Sequence, residues 1–160
     1  MYLTRKEKNT ALSQRNPAQE KKEKEVIPMA GFHWEEFYRI FKEKLEKMTD
    51  CVVEPYVPSG ENRFPCVEAR LIENPGSGYD LEGGEGACSP LIEVRVYCGS
   101  TLGDTACCRV SEAARNLMLS YGFQCRNGPG KAEEQSPGVV RWAGRYQRTF
   151  GNSEELEQYE

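Results

Sequence analysis

Residues 90–123 constrain this chain more than any other stretch. They open with Leu91-Ile-Glu-Val-Arg-Val-Tyr-Cys, in which Ile92, Val94 and Val96 alternate with Glu93 and Arg95. Alternation of this kind gives a strand one apolar and one polar face, as in a sheet covered on a single side. After a short turn at 99–104, Ala106, Val110, Ala113, Ala114, Leu117 and Met118 recur at helical spacing. Gly122 then follows, where a residue free to take positive φ ends a helix. A strand, a tight turn and an amphipathic helix must bury their apolar faces in one shared layer.

The flanking elements can be read by the same periodicities. Trp34, Phe37, Phe41, Leu45 and Met48 form one stripe, with Ile40 beside it, and predict a helix over 33–48. Glu35 and Glu36 stand in its first turn and Lys47 in its last, as the helix dipole favours. Residues 51–57 are β-like, with Pro55 pointing to an edge or a bulge. A polar turn is expected over 58–63. Residues 64–72 predict a strand with Val67, Ala69 and Leu71 on one face and Glu68 and Arg70 on the other. Residues 73–89 and 124–137 are Gly- and Pro-containing and are expected as surface loops, the first of them mobile. Residues 139–150 predict the last strand, with Val140, Trp142, Tyr146 and Phe150 on its core side.

The expected class is therefore α+β in the order α-β-β-β-α-β. A four-stranded, mostly antiparallel sheet carries two helices on one face, since consecutive strands joined by loops pair antiparallel. Its other face collects Glu68, Arg70, Glu93, Arg95, Arg141 and Arg145. These six are the candidate oligomer or partner contacts. Cross-strand pairing of opposite charges would account for them equally well.

Three segments follow from composition. Residues 1–30 are expected to stand outside the fold, 31–151 to form a single domain, and 152–160 to be an acidic tail. Residues 1–28 hold seven Lys/Arg against four Glu, while the remainder holds fourteen against twenty-one Asp/Glu. Residues 24–28 precede Met29, and one codon choice for Lys-Glu-Val-Ile spells a ribosome-binding sequence. Two readings stand side by side: a charged disordered tail, or a translated upstream region with Met29 as the natural start. An acidic folded part disfavours tight nucleic-acid binding. No apolar run reaches the ~20 residues that span a membrane, and no signal peptide is visible, so a soluble protein, cytoplasmic at synthesis, is expected.

The chemistry-bearing residues form no reaction constellation. Seven cysteines include no Cys-x-x-Cys pair, and the chain has one histidine, His33, so neither a metal site nor a Cys–His nucleophile is expected. Cys107, near a helix start, invites a depressed pKa, but Cys107 and Cys108 are read as packing or idle thiols. The glycines between 76 and 86 lack a lysine and lead into a strand, unlike a phosphate loop. Arg141, Arg145 and Arg148 interleaved with Trp142 and Tyr146 would suit base stacking. The two aromatics share the core-facing set, which favours a packing role. No cofactor and no enzymatic activity are expected.

Element order and local texture over residues 33–150 resemble the tail terminator proteins of long-tailed bacteriophages, also described as tail completion, minor capsid or head–tail joining proteins. The resemblance rests on the strand over 91–98, the turn over 99–104, the helix to Leu119 with its closing Tyr121-Gly122-Phe123, Phe64-Pro65-Cys66-Val67, and the strand over 141–150. It implies a virion protein of the tail or neck that forms a ring with itself, typically hexameric. Such a ring ends tail-tube polymerisation and contacts the tail tube protein and the head–tail connector. DNA enters this picture only as passing cargo. Another neck component, such as a stopper protein, is the nearest alternative, and a small nucleic-acid-binding domain is the alternative of a different class.

Overall fold

A computed structural model describes residues 31–55, 64–99, 101–132 and 137–152. The expectations for residues 1–30, 58–63 and 153–160 lie outside those residues. Helix α1 (Trp34–Met48) is followed by strands β1 (Val52–Glu54), β2 (Cys66–Glu73), β3 (Gly76–Ser77), β4 (Ala87–Cys88) and β5 (Leu91–Gly99). Helix α2 (Gly103–Ser120) then leads to β6 (Gln124–Lys131), β7 (Val139–Gln147) and β8 (Phe150–Gly151). The α+β class and the two helices are as expected. The sheet differs: five strands run in the order β1-β2-β5-β7-β6, and a separate small sheet runs β3-β4-β8.

Two expectations need correction. β1 pairs with β2 in parallel, Val52 opposite Cys66 and Glu54 opposite Glu68, where an antiparallel hairpin was expected. β1 and β2 therefore run in the same direction instead of folding back on each other. The presumed loop over 124–137 contributes β6, which pairs antiparallel with β7 through two register shifts. Gly128, Pro129 and Gly130 hide this strand from a propensity reading, because packing and pairing override composition there.

The core lies between one sheet face and both helices. Val67 and Ala69 of β2, Ile92, Val94, Val96 and Cys98 of β5, and Val140 and Tyr146 of β7 all point into it. Trp142, expected on the same side, packs half-buried against it. From α2 come Cys107, Val110, Ala114, Leu117 and Met118, and from α1 Phe37, Phe41 and Leu45. Met48, read into the α1 stripe, is instead exposed. An aromatic cluster joins distant elements: Phe32 meets Phe150 at 5.1 Å, and Phe37 meets Phe123 at 5.4 Å, between ring centroids. Each fully buried ring contributes roughly 1.5–3 kcal/mol.

Helix α2 ends as its sequence prescribes. Gly122 takes φ 76°, donates to Leu119 O at 2.9 Å, and lets Phe123 donate to Met118 O at 3.1 Å. This double return bond satisfies the last carbonyls and swings Phe123 into the aromatic cluster.

The edges of the main sheet are both blunted. On β1, Glu46 Oε1 accepts from Val53 N at 2.9 Å and Lys42 Nζ donates to Val53 O at 2.8 Å, so α1 side chains occupy the outward backbone groups. On β6, the register shifts and Pro129, which has no N–H, interrupt the ladder. Such devices discourage strand addition from another chain.

Candidate functional site

The sheet face away from the helices holds all six predicted contact residues. Register places them in three rows. Arg70 of β2 stands opposite Glu93 of β5, which stands opposite Arg145 of β7. Glu54 of β1 stands beside Glu68, which faces Arg95 of β5. Tyr97 of β5 lies between Cys66 and Arg141. Since side chains alternate along a strand, these positions share one surface.

Glu93 is the hub. Arg145 Nε lies 2.8 Å from its Oε2, and Arg95 Nε lies 2.6 Å from its Oε1. Arg95 reaches on to Glu68 Oε2 at 3.5 Å, and Arg70 Nε approaches Glu68 Oε1 at 3.8 Å. Tyr97 Oη donates to Glu68 Oε2 at 3.1 Å. The two carboxylates are only 5% and 6% exposed although no described helix or strand covers the face, because the arginine and tyrosine side chains lie over them. Burial is the largest influence on Glu93 and opposes its ionisation. The hydrogen bonds and charges of Arg145 and Arg95 together outweigh it and hold the carboxyl below its usual range. Burial, and then the charge of Glu68, push the Tyr97 hydroxyl up, so it remains a donor.

Arg141 stands apart from this ladder. Its Nε is shut off from solvent and has no hydrogen-bond partner among the described residues. Five of the six predicted residues are thus joined in one network, and the sixth is left over. Tyr97 and Glu54 complete the face and were not predicted. Tyr97 continues the spacing of Glu93 and Arg95 and was legible there; Glu54 depends on the parallel register.

The second surface is the glycine-rich segment. The loop expected over 73–89 is a hairpin, with Gly76 paired to Cys88 and Ser77 to Ala87, and β4 is pinned in turn to β8. Its tip is a closed turn. Asp80 Oδ1 accepts from Gly84 N at 2.7 Å and Glu82 N at 2.9 Å, and Asp80 N donates to Gly84 O at 2.9 Å. Asn152 Nδ2 donates to Glu85 O at 2.6 Å and fastens the far leg. Asp80, Glu82 and Glu85 make the tip acidic, and Leu81 on it is fully exposed.

The other candidate groups are placed in structural settings. Cys107 is buried, with its thiol directed at Val96 O at 3.5 Å and Val140 O at 3.4 Å. Its hydrogen bond with Cys98, and then burial, push that thiol up, the reverse of an activated nucleophile. His33 occupies the N-cap of α1 without capping it through its side chain. Among the described residues, no three or more His, Cys, Asp or Glu side chains are grouped to hold a metal ion, and no helix is long and apolar enough to cross a membrane. A groove of about 590 Å³ between the end of α1 and the start of α2 exposes Met48 and Leu102.

No protein-family model matches the sequence, and neither does any curated protein.

Proposed function

We propose that this chain is a structural subunit of a phage neck, forming a homo-oligomeric ring that ends tail-tube polymerisation and joins the tail to the head connector. The observation that supports it best is the presence of two unlike surfaces on one subunit. One is an arginine-bearing sheet face; the other is an acidic hairpin with a fully exposed Leu81 at its tip. A closed ring needs two different patches on each copy, because its contacts are heterologous. The blunted sheet edges direct association toward these surfaces and away from strand addition. The buried, hydrogen-bonded setting of Cys107 fits a structural role for that residue. The resemblance to tail terminators in element order supplies the place of such a ring. The virion is its destination and the host cytoplasm the site of its assembly.

Native mass spectrometry and negative-stain imaging of the full chain, alone and mixed with purified tail tubes, test this reading. A ring, typically a hexamer, that caps tube ends is the expected result. A chain that remains monomeric alone and with tubes would sink it. A ring that binds the head connector and leaves tubes uncapped would assign the other neck role.

A further inference from the structure

Among the described residues, the open sheet face carries one more cation than it has carboxylates. Glu54, Glu68 and Glu93 share it with Arg70, Arg95, Arg141 and Arg145, three carboxylates against four guanidinium groups. The odd one out is Arg141. Its Nε is buried without an acceptor among the described residues, and its cross-strand neighbour Tyr97 has its hydroxyl engaged by Glu68. A guanidinium is a planar array of donors matched to a carboxylate, so an arriving carboxylate would give Arg141 Nε the acceptor that no described residue supplies.

The acidic hairpin offers one. At its tip Asp80 is engaged by its own turn and Glu85 accepts from Tyr79 Oη at 3.3 Å. The Glu82 carboxylate is not engaged by any described residue, and the fully exposed Leu81 stands next to it. The hairpin base and Arg141 lie toward opposite ends of β5. β4 ends three residues before Leu91, the start of β5, whereas Arg141 pairs with Tyr97 near the other end of that strand. Six residues of strand separate the two levels by about 20 Å. The hairpin base and Arg141 therefore face different neighbours in a head-to-tail arrangement.

We propose that the hairpin tip of one copy docks on the open sheet face of the next, with Glu82 as the carboxylate received by Arg141 and Leu81 packed over the Tyr97 side. The occupant is a second copy of this chain, chosen by charge complementarity. The inference rests on the ring reading and names the contact that closes the ring.

The test is a charge swap on the full chain, with Arg141→Glu, Glu82→Arg and the double variant compared by native mass spectrometry and light scattering. Circular dichroism verifies that each variant is folded, and Arg141→Gln serves as the milder form. Each single reversal is expected to weaken self-association by about ten-fold or more, the scale of a close interfacial ion pair, and the double variant to restore it. Single variants that assemble like the wild type overturn this contact while leaving the ring reading intact. A wild type that stays monomeric alone and with tail tubes overturns both. Rescue of Arg141→Glu by Glu133→Arg or Glu134→Arg, in place of Glu82→Arg, assigns Arg141 to a contact within its own chain and overturns the proposal.

Discussion

Arg145 Nε donates to Glu93 Oε2 across 2.8 Å, joining adjacent strands whose partners stand 52 residues apart in sequence. The same carboxylate accepts from Arg95 at 2.6 Å. Burial opposes the ionisation of Glu93; two guanidinium groups outweigh it and favour the charged form. The face is thus stapled by its charges, and its polarity is compatible with a folded subunit whether or not a partner covers it.

Removing that hub should be costly. Glu93→Gln keeps the size but weakens two charge-assisted bonds, and it should destabilise the fold by about 1–3 kcal/mol. Urea unfolding followed by circular dichroism measures this. A midpoint equal to that of the wild type would show that the ladder is idle.

Acid should act through the same residue. The folded pKa of Glu93 lies below its unfolded value, so its contribution to stability is complete above the unfolded value of 4.5 and is lost as pH falls through the lower folded value. Stability should therefore decline below pH 4.5, and Glu93→Gln should decline less steeply there. Equal acid profiles for the two proteins would refute the assignment.

The helix-facing core gives a sharper outcome. Leu117 and Val110 are buried on the α2 face that packs against the sheet. Leu117→Asp places a charge there and should cost roughly 3 kcal/mol or more, preventing folding. A soluble, ring-forming Leu117→Asp protein would show that the core is elsewhere.

Thiol reactivity should sort the cysteines by burial. Cys51, Cys66, Cys88, Cys98 and Cys107 are buried, and Cys108 and Cys125 are partly exposed. An aromatic disulfide reagent should modify Cys108 and Cys125 in the native protein and all seven thiols only after denaturation. Rapid native labelling of Cys107 would contradict its packing role.

The α1 side chains that block β1 make a further prediction. Glu46→Ala frees the Val53 N–H and should cost about 1 kcal/mol, measured as a shift in the urea midpoint. It should also raise concentration-dependent association seen by light scattering, because an edge is unmasked. Unchanged scattering would mean that Lys42 alone protects it.

Period and punctuation determined much of this molecule. Alternation located β5 and the core side of β7, helical spacing located α1 and α2, and Gly122 marked where α2 stops; these signals are local, and local sterics and burial enforce them. The polar residues 93, 95 and 145 were legible as one face for the same reason. What only the tertiary structure decided depends on segments far apart in the chain. The parallel β1–β2 pairing fixes Glu54 beside Glu68. The irregular β6 exists because β7 offers it a ladder. The hairpin over 76–88 is held by β8, which arrives more than sixty residues after its first strand. Register across those distances also determined that five charged residues satisfy one another and that Arg141 Nε has no acceptor among the described residues. A sequence lists charges along one dimension, but their pairing is set by which strands lie side by side.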